Sequence, residues 1–158
     1  MSSVFSKIIA GELPGRFVWA DDVCVAFATI APITAGHALV VPRAEVESYT
    51  DAPDELVAHL AVVAKAIGRA QQIAFDAPRA ALLVAGFEVP HLHVHVLPAW
   101  GEAALSFANA NPDVPPETLD AMAAAAGWRL QERWGSWDAR PFLRARRTHV
   151  SVWRAVDW

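Results

Sequence analysis

The sequence predicts a single domain in which five short strands and a few helices share one core, and three observations carry that prediction. Apolar residues alternate with others in five short stretches separated by turn chemistry. One long stretch between the third and fourth of these repeats its apolar residues with helical spacing instead. A chain of 158 residues that is 54% apolar has the size and the hydrophobic content for one core.

A short helix is expected over Phe5–Ala10, stopped by Gly11 and Pro14. Strands follow at Arg16–Ala20 and Val23–Ala28, with Asp21-Asp22 as the tight turn between them, and at His37–Pro42. Asp51 offers an N-cap, after which Leu56, Leu60, Val63 and Ile67 recur on one helical face, giving a helix of about five turns that closes near Gln72. Further strands are expected at Ala80–Ala85 and His91–Pro98. The prolines and asparagines of Asn109–Pro116 read as loop, Glu117–Arg133 as an Ala-rich helix, and Thr148–Trp153 as a possible strand. Residues 1–100 are expected to form the core, with 101–158 adding a loop, a helix and a tail to the same domain.

Charge and cysteine usage narrow the functional classes. A net charge of -4 lacks the basic surface that binding to a nucleic-acid polymer needs, although a small anion held by local groups is compatible with it. Cys24 is the single cysteine, so no internal disulfide forms, and its neighbours Val23, Val25 and Phe27 read as core. Residues Met1–Lys7 lack the pattern of a secretory signal, and no apolar run approaches the length of a membrane span. The expected location is the cytoplasm, away from membranes.

The strongest signal is Pro90-His91-Leu92-His93-Val94-His95-Val96-Leu97-Pro98. In an extended chain His91, His93 and His95 share one face, while Leu92, Val94 and Val96 share the other. Imidazoles spaced by roughly 6.8 Å match the scale of a phosphate group. Near neutral pH they can divide the tasks of nucleophile, acid and hydrogen-bond donor. Packing alone does not ask for three polar rings on a core strand, because each must find a partner. Two other readings of the same residues stay open: histidines hydrogen-bonded for structure alone, and a zinc site using His91, His93 and His95 with His37.

The run His91-Leu92-His93-Val94-His95-Val96-Leu97 resembles the signature of the histidine triad family, and its flank Glu88-Val89-Pro90 is similar to the bacterial branch. The upstream order resembles it too: Val4-Phe5-Ser6-Lys7-Ile8-Ile9-Ala10-Gly11-Glu12-Leu13-Pro14, then Asp21-Asp22, Phe27-Ala28-Thr29-Ile30-Ala31-Pro32, and Gly36-His37-Ala38-Leu39-Val40-Val41-Pro42. The likeness covers residues 3 to 98. It implies an α+β fold with a five-stranded antiparallel sheet, a long helix packed on it, a C-terminal helix and tail, and pairing as a homodimer. It also implies a nucleotide hydrolase or transferase that cleaves at the α-phosphorus of phosphoramidates or dinucleoside polyphosphates, with no cofactor and no catalytic metal. By position, His93 is the nucleophile that forms a nucleotidyl-histidine, His95 holds the phosphate and leaving-group side, and His37 and His91 support them. Val4, Phe5, Ile8, Phe27 and Ile30 fall where the family forms its base pocket; Thr29 falls at the ribose, Glu88 on the leaving-group side, and Val89 among the substrate-binding positions.

The chain departs from the pattern at several points. Thr29 replaces the usual acidic residue at the ribose, the loop before the triad is shortened with Phe87 where Gln is expected, and Glu88 stands where some members use Ser. Ser3 and Ser6 replace a Cys-x-x-Cys pair that holds structural zinc in many bacterial relatives, and hydroxyls are poor zinc ligands, so that site is expected to be absent. These departures keep two alternatives to the metal-independent enzyme in view: a nucleotide-binding protein without turnover, and a zinc-dependent hydrolase. His59 and His149 read as surface or boundary residues, Arg140, Arg144, Arg146 and Arg147 as a solvated face, and Trp128, Trp134 and Trp137 as packing for the C-terminal helix.

Overall fold

Ser3 opens the first helix, α1 (Val4–Ile9), by accepting the Ser6 amide on its side chain. Strands β1 (Gly15–Ala20) and β2 (Cys24–Ala28) follow, joined by a turn in which Asp21 Oδ1 accepts the Val23 and Cys24 amides. Then come β3 (Ala38–Pro42), the long helix α2 (Asp54–Phe75), β4 (Arg79–Leu83) and β5 (Val94–Ala99). Two 3-10 turns, Glu102–Ala104 and Phe107–Asn109, lead to α3 (Pro116–Ala125), β6 (Trp128–Trp134) and β7 (Val150–Ala155). This computed structural model describes residues 2–125 and the backbone of 128–134 and 150–155.

The strands form one sheet in the order β4-β5-β3-β2-β1-β7-β6. Its first five members pair antiparallel, as the family likeness implies, with Leu39 opposite His95 across the β3–β5 ladder. β7 then adds to β1 in parallel, and β6 adds to β7 antiparallel.

Helix α2 covers one face of the sheet, where Leu60, Val63 and Ile67 meet Cys24, Ala26, Val40, Leu92, Val94 and Val96. Burying several such side chains, at about 1.5–3 kcal/mol each, fixes which side of each strand faces inward. The other face carries Phe5, Phe17, Val25, Phe27, Leu39 and Val41, with α1 packed on it. Gln71, fully buried in α2, donates its amide to both Gly36 O and Val96 O. Gly36 sits at φ +84°, and a Cβ there would overlap the Phe75 ring.

Four expectations need correction. α2 is capped at Pro53 rather than Asp51 and runs to Phe75, three residues past Gln72, with Asp76 taking the left-handed conformation (φ 48°) that ends it. The Ala-rich helix does not reach Arg133: it ends at Ala125, and Trp128–Trp134 is a strand paired with β7. Ladder formation wins there over the helix-compatible Arg, Leu, Gln and Glu of the segment, with the alanine run ending before Gly127 and Trp128 and Trp134 suiting a strand. Trp128, expected within that helix, therefore belongs with Trp134 to a strand. β5 begins at Val94, so His91 and His93 precede the ladder. Trp137, the arginines from 140 to 147, and His149 lie outside the described residues.

Candidate active site

The face that α2 leaves uncovered holds a cavity of about 510 Å³, floored by Phe5, Ile8, Phe27 and Leu39 and rimmed by His37, His93 and His95. That volume lies within the range of small-molecule sites. The sequence-predicted pocket residues Val4, Phe5, Ile8, Phe27, Thr29, Ile30, Glu88 and Val89 all line it. Ile30 is 74% exposed and stands at its lip. Arg16, Leu39 and Phe107 line it too, and sequence reasoning missed them. Arg16 Nε is 2.6 Å from Asp120 Oδ1, which ties α3 to the pocket margin.

His91 is the member of the triad that does not reach this cavity. It is fully buried, with Phe5 packed edge-on against both its ring (centroids 5.9 Å apart) and that of His93 (4.9 Å). The expectation that three rings present themselves together is corrected to two, because the chain meets the ladder only at Val94 and Phe5 covers the first ring. The rings of His93 and His95 lie 4.8 Å apart, closer than the spacing of an ideal strand.

Hydrogen bonding assigns each ring a tautomer. His93 Nδ1 is 2.7 Å from His91 O; a carbonyl can only accept, so Nδ1 carries the proton and Nε2 of the neutral ring keeps its lone pair. The Ile33 amide donates to His37 Nδ1, which leaves the proton of neutral His37 on Nε2, 3.0 Å from His95 Nδ1. His95 accepts there and carries its own proton on Nε2. The cluster thus contains one ring with a free lone pair and one with a free N–H.

Burial keeps these rings neutral at pH 7. Desolvation, reinforced by His95 and His93, pushes His37 down to about 3. Desolvation and the neighbouring His93 push His95 down to about 4. His93 is lowered as well, mainly by desolvation, with the bond to His91 O opposing the shift.

Behind Phe5 a second network holds His91. Its Nε2 donates to Pro42 O at 2.8 Å, and its Nδ1 accepts from the Ser3 hydroxyl at 2.6 Å. Ser6 Oγ donates to Glu45 at 2.5 Å and the Ser3 amide also donates to that carboxylate, contacts that hold Glu45 below the usual carboxylate range. Both nitrogens of His91 are thereby committed to protein partners. Two hydrogen-bonded hydroxyls make a poor zinc donor set, so no chemistry here is routed through a metal at Ser3 and Ser6. The catalytic zinc reading also lacks its ligand set: among the described residues, three ligand atoms come within 4.8 Å of one another only at Asp21, Cys24 and His59.

Fold and site together define a small α+β protein that places a neutral histidine cluster at the mouth of an apolar cleft. The HIT domain model matches residues 10–101, more than half of the chain, which therefore belongs to the histidine triad family. The protein named "Protein hit" from Bacillus subtilis is 32% identical over 136 residues, covering 80% of this chain and 93% of that one. Among solved structures, a Zn-bound histidine triad family protein from Mycobacterium smegmatis aligns with TM-score 0.66 and 30% identity over 80% of this chain and 94% of its own. A hypothetical histidine triad nucleotide-binding protein from Sulfolobus tokodaii aligns with TM-score 0.67 and 30% identity, over 77% and 87%.

Proposed function

We propose that this protein is a nucleotide hydrolase or transferase that cleaves at the α-phosphorus of nucleoside phosphoramidates or dinucleoside polyphosphates through a nucleotidyl-histidine, with no metal or other cofactor in the step. The observation that carries the reading is the tautomer pair: His93 offers a lone pair and His95 offers an N–H, side by side at the cavity.

In the first step His93 Nε2 attacks phosphorus, the P–N bond forms, and the bond to the leaving group breaks. His95 Nε2 gives the leaving group its proton while the His37 N–H holds the other nitrogen of that ring. Water then attacks the nucleotidyl-histidine and gives a proton to His95 Nε2; the P–N bond breaks, the nucleotide leaves and both rings return to their starting state. The apolar floor suits a base, and Thr29 with Glu88 stands on the sugar and phosphate side. The rings need no deprotonation at neutral pH because burial has already discharged them.

Incubation with adenosine phosphoramidate, rapid quenching without acid and intact-mass measurement tests the reading. An AMP adduct that disappears in His93→Ala is expected; tight AMP binding with neither adduct nor cleavage would turn the reading to a binding protein. The same proposal includes a homodimer, supported by exposed Leu82 and Val84 beside the open edge of β4 and checked by light scattering. It also includes a cytoplasmic location, in keeping with the free thiol of Cys24 and checked by cell fractionation.

A further inference from the structure

On the sheet face opposite the cavity, three potential metal ligands from three elements converge. Asp21 lies in the β1–β2 turn, Cys24 begins β2, and His59 projects from α2; one ligand atom of each lies within 4.8 Å of the others. His59 Nε2 is 2.9 Å and Cys24 Sγ 3.8 Å from the same oxygen, Asp21 Oδ2. In a tetrahedral zinc site with bonds of about 2.0–2.3 Å, nitrogen and sulfur ligands stand roughly 3.3 and 3.5 Å from a carboxylate oxygen. The two distances to Asp21 Oδ2 lie within a few tenths of an ångström of those spans, and the third lies within 4.8 Å.

We propose that Asp21, Cys24 and His59 form a binding site for a borderline-soft divalent cation of the zinc class, with a fourth position open to solvent. The donor set of one carboxylate, one thiolate and one imidazole selects this class over calcium or magnesium, which take oxygen alone. The side chains of His59 and Asp21 are 37% and 27% exposed, whereas Cys24 is fully buried, so the ion enters from the surface and meets the sulfur last. On binding, the ion replaces the hydrogen bond between His59 and Asp21, the proton of His59 leaves Nε2 so that its lone pair meets the ion, and the Cys24 thiol proton passes to solvent.

The surroundings both help and oppose this. Asp21 Oδ1 is oriented by the Val23 and Cys24 amides and Oδ2 by the Trp19 indole at 2.7 Å, so the carboxylate is aimed before any ion arrives. Burial raises Asp21, but those donors and His59 outweigh it and keep the group ionised. Against binding, burial and the Asp21 charge push the thiol up to about 12, and the Arg43 guanidinium, bonded to Asp21 O, adds a positive neighbour. The site is therefore a modest one, and its bound ion would staple α2 to the β1–β2 turn.

Cobalt(II) is the probe, because a thiolate ligand gives it a near-ultraviolet charge-transfer band and Cys24 is the single cysteine of the chain. Titration of the full chain is expected to develop that band to one equivalent. Cys24→Ala should abolish it. His59→Ala, at a half-exposed position that leaves folding intact, should weaken it by about tenfold or more. Phosphoramidate turnover in His59→Ala should stay unchanged. Cobalt binding without the band, or a band of equal affinity in His59→Ala, overturns the proposal.

Discussion

His91 and His95 stand four residues apart and are surrounded in opposite ways. His91 has Ser3 on one nitrogen and Pro42 O on the other, with Phe5 over its ring. His95 has one nitrogen on His37, while Phe107 packs edge-on at 4.9 Å and the remaining nitrogen faces the cavity. Identical side chains at regular spacing thus divide into one that is spent on structure and two that retain chemistry. Residue type offers the chemistry; the number of nitrogens left uncommitted decides whether it is available.

The largest test of this division is a pair of substitutions with opposite signatures. His93→Ala should lower turnover of adenosine phosphoramidate by at least about 10³-fold at a smaller cost in stability than His91→Ala, since His93 lines the cavity and has one nitrogen bonded to the protein. His91→Ala should instead cost about 2–4 kcal/mol, because it empties a fully buried site and removes one hydrogen bond each from Ser3 Oγ and Pro42 O. In calorimetry that corresponds to a fall of roughly 5–15 °C. Equal losses of activity and stability in both variants would erase the distinction.

Acid provides the next test. His37 and His95 titrate lower in the folded chain, at about 3 and about 4, than the ordinary 6.5 they regain on unfolding. The unfolded chain therefore binds more protons between these values, so stability is complete above about pH 6.5 and is lost as pH falls through about 4. Urea midpoints measured from pH 7 to pH 4 should decline, and His37→Asn, which removes one such group, should flatten the decline. Activity should hold from pH 8 to about 6 rather than showing the fall near 6.5 of an exposed imidazole. The smallest effect is expected from Ser3→Ala. Losing the hydroxyl that serves both as helix cap and as partner of His91 should cost about 1 kcal/mol in chemical denaturation, with turnover reduced only a few-fold.

Much of the scaffold could be read before any coordinates. Leu60, Val63 and Ile67 announced α2 and became its buried stripe, since a 3.6-residue period has one structural meaning over so many turns. The alternation of His93, Val94 and His95 placed two rings on the cavity side and Val94 under the helix. What escaped was set by distant partners. Nothing local to His91 tells that Phe5 covers it, and Arg16 and Phe107 reach the cavity only through tertiary packing. The alanines before β6 continue a helical pattern, while the ladder that makes it a strand comes from residues 150–155. The apolar neighbours of Cys24 mark it as core, but its proximity to His59 depends on how α2 crosses the sheet.

Gln71 carries a mechanical consequence. Its amide grips Gly36 O, next to His37, and Val96 O, next to His95, so both backbone stretches are riveted to the same side chain of α2. The backbone on both sides of the 3.0 Å contact between His37 and His95 is therefore anchored at one position of the helix. The spacing of the two rings is thereby tied to an amide that lies on the opposite side of the strands from the cavity.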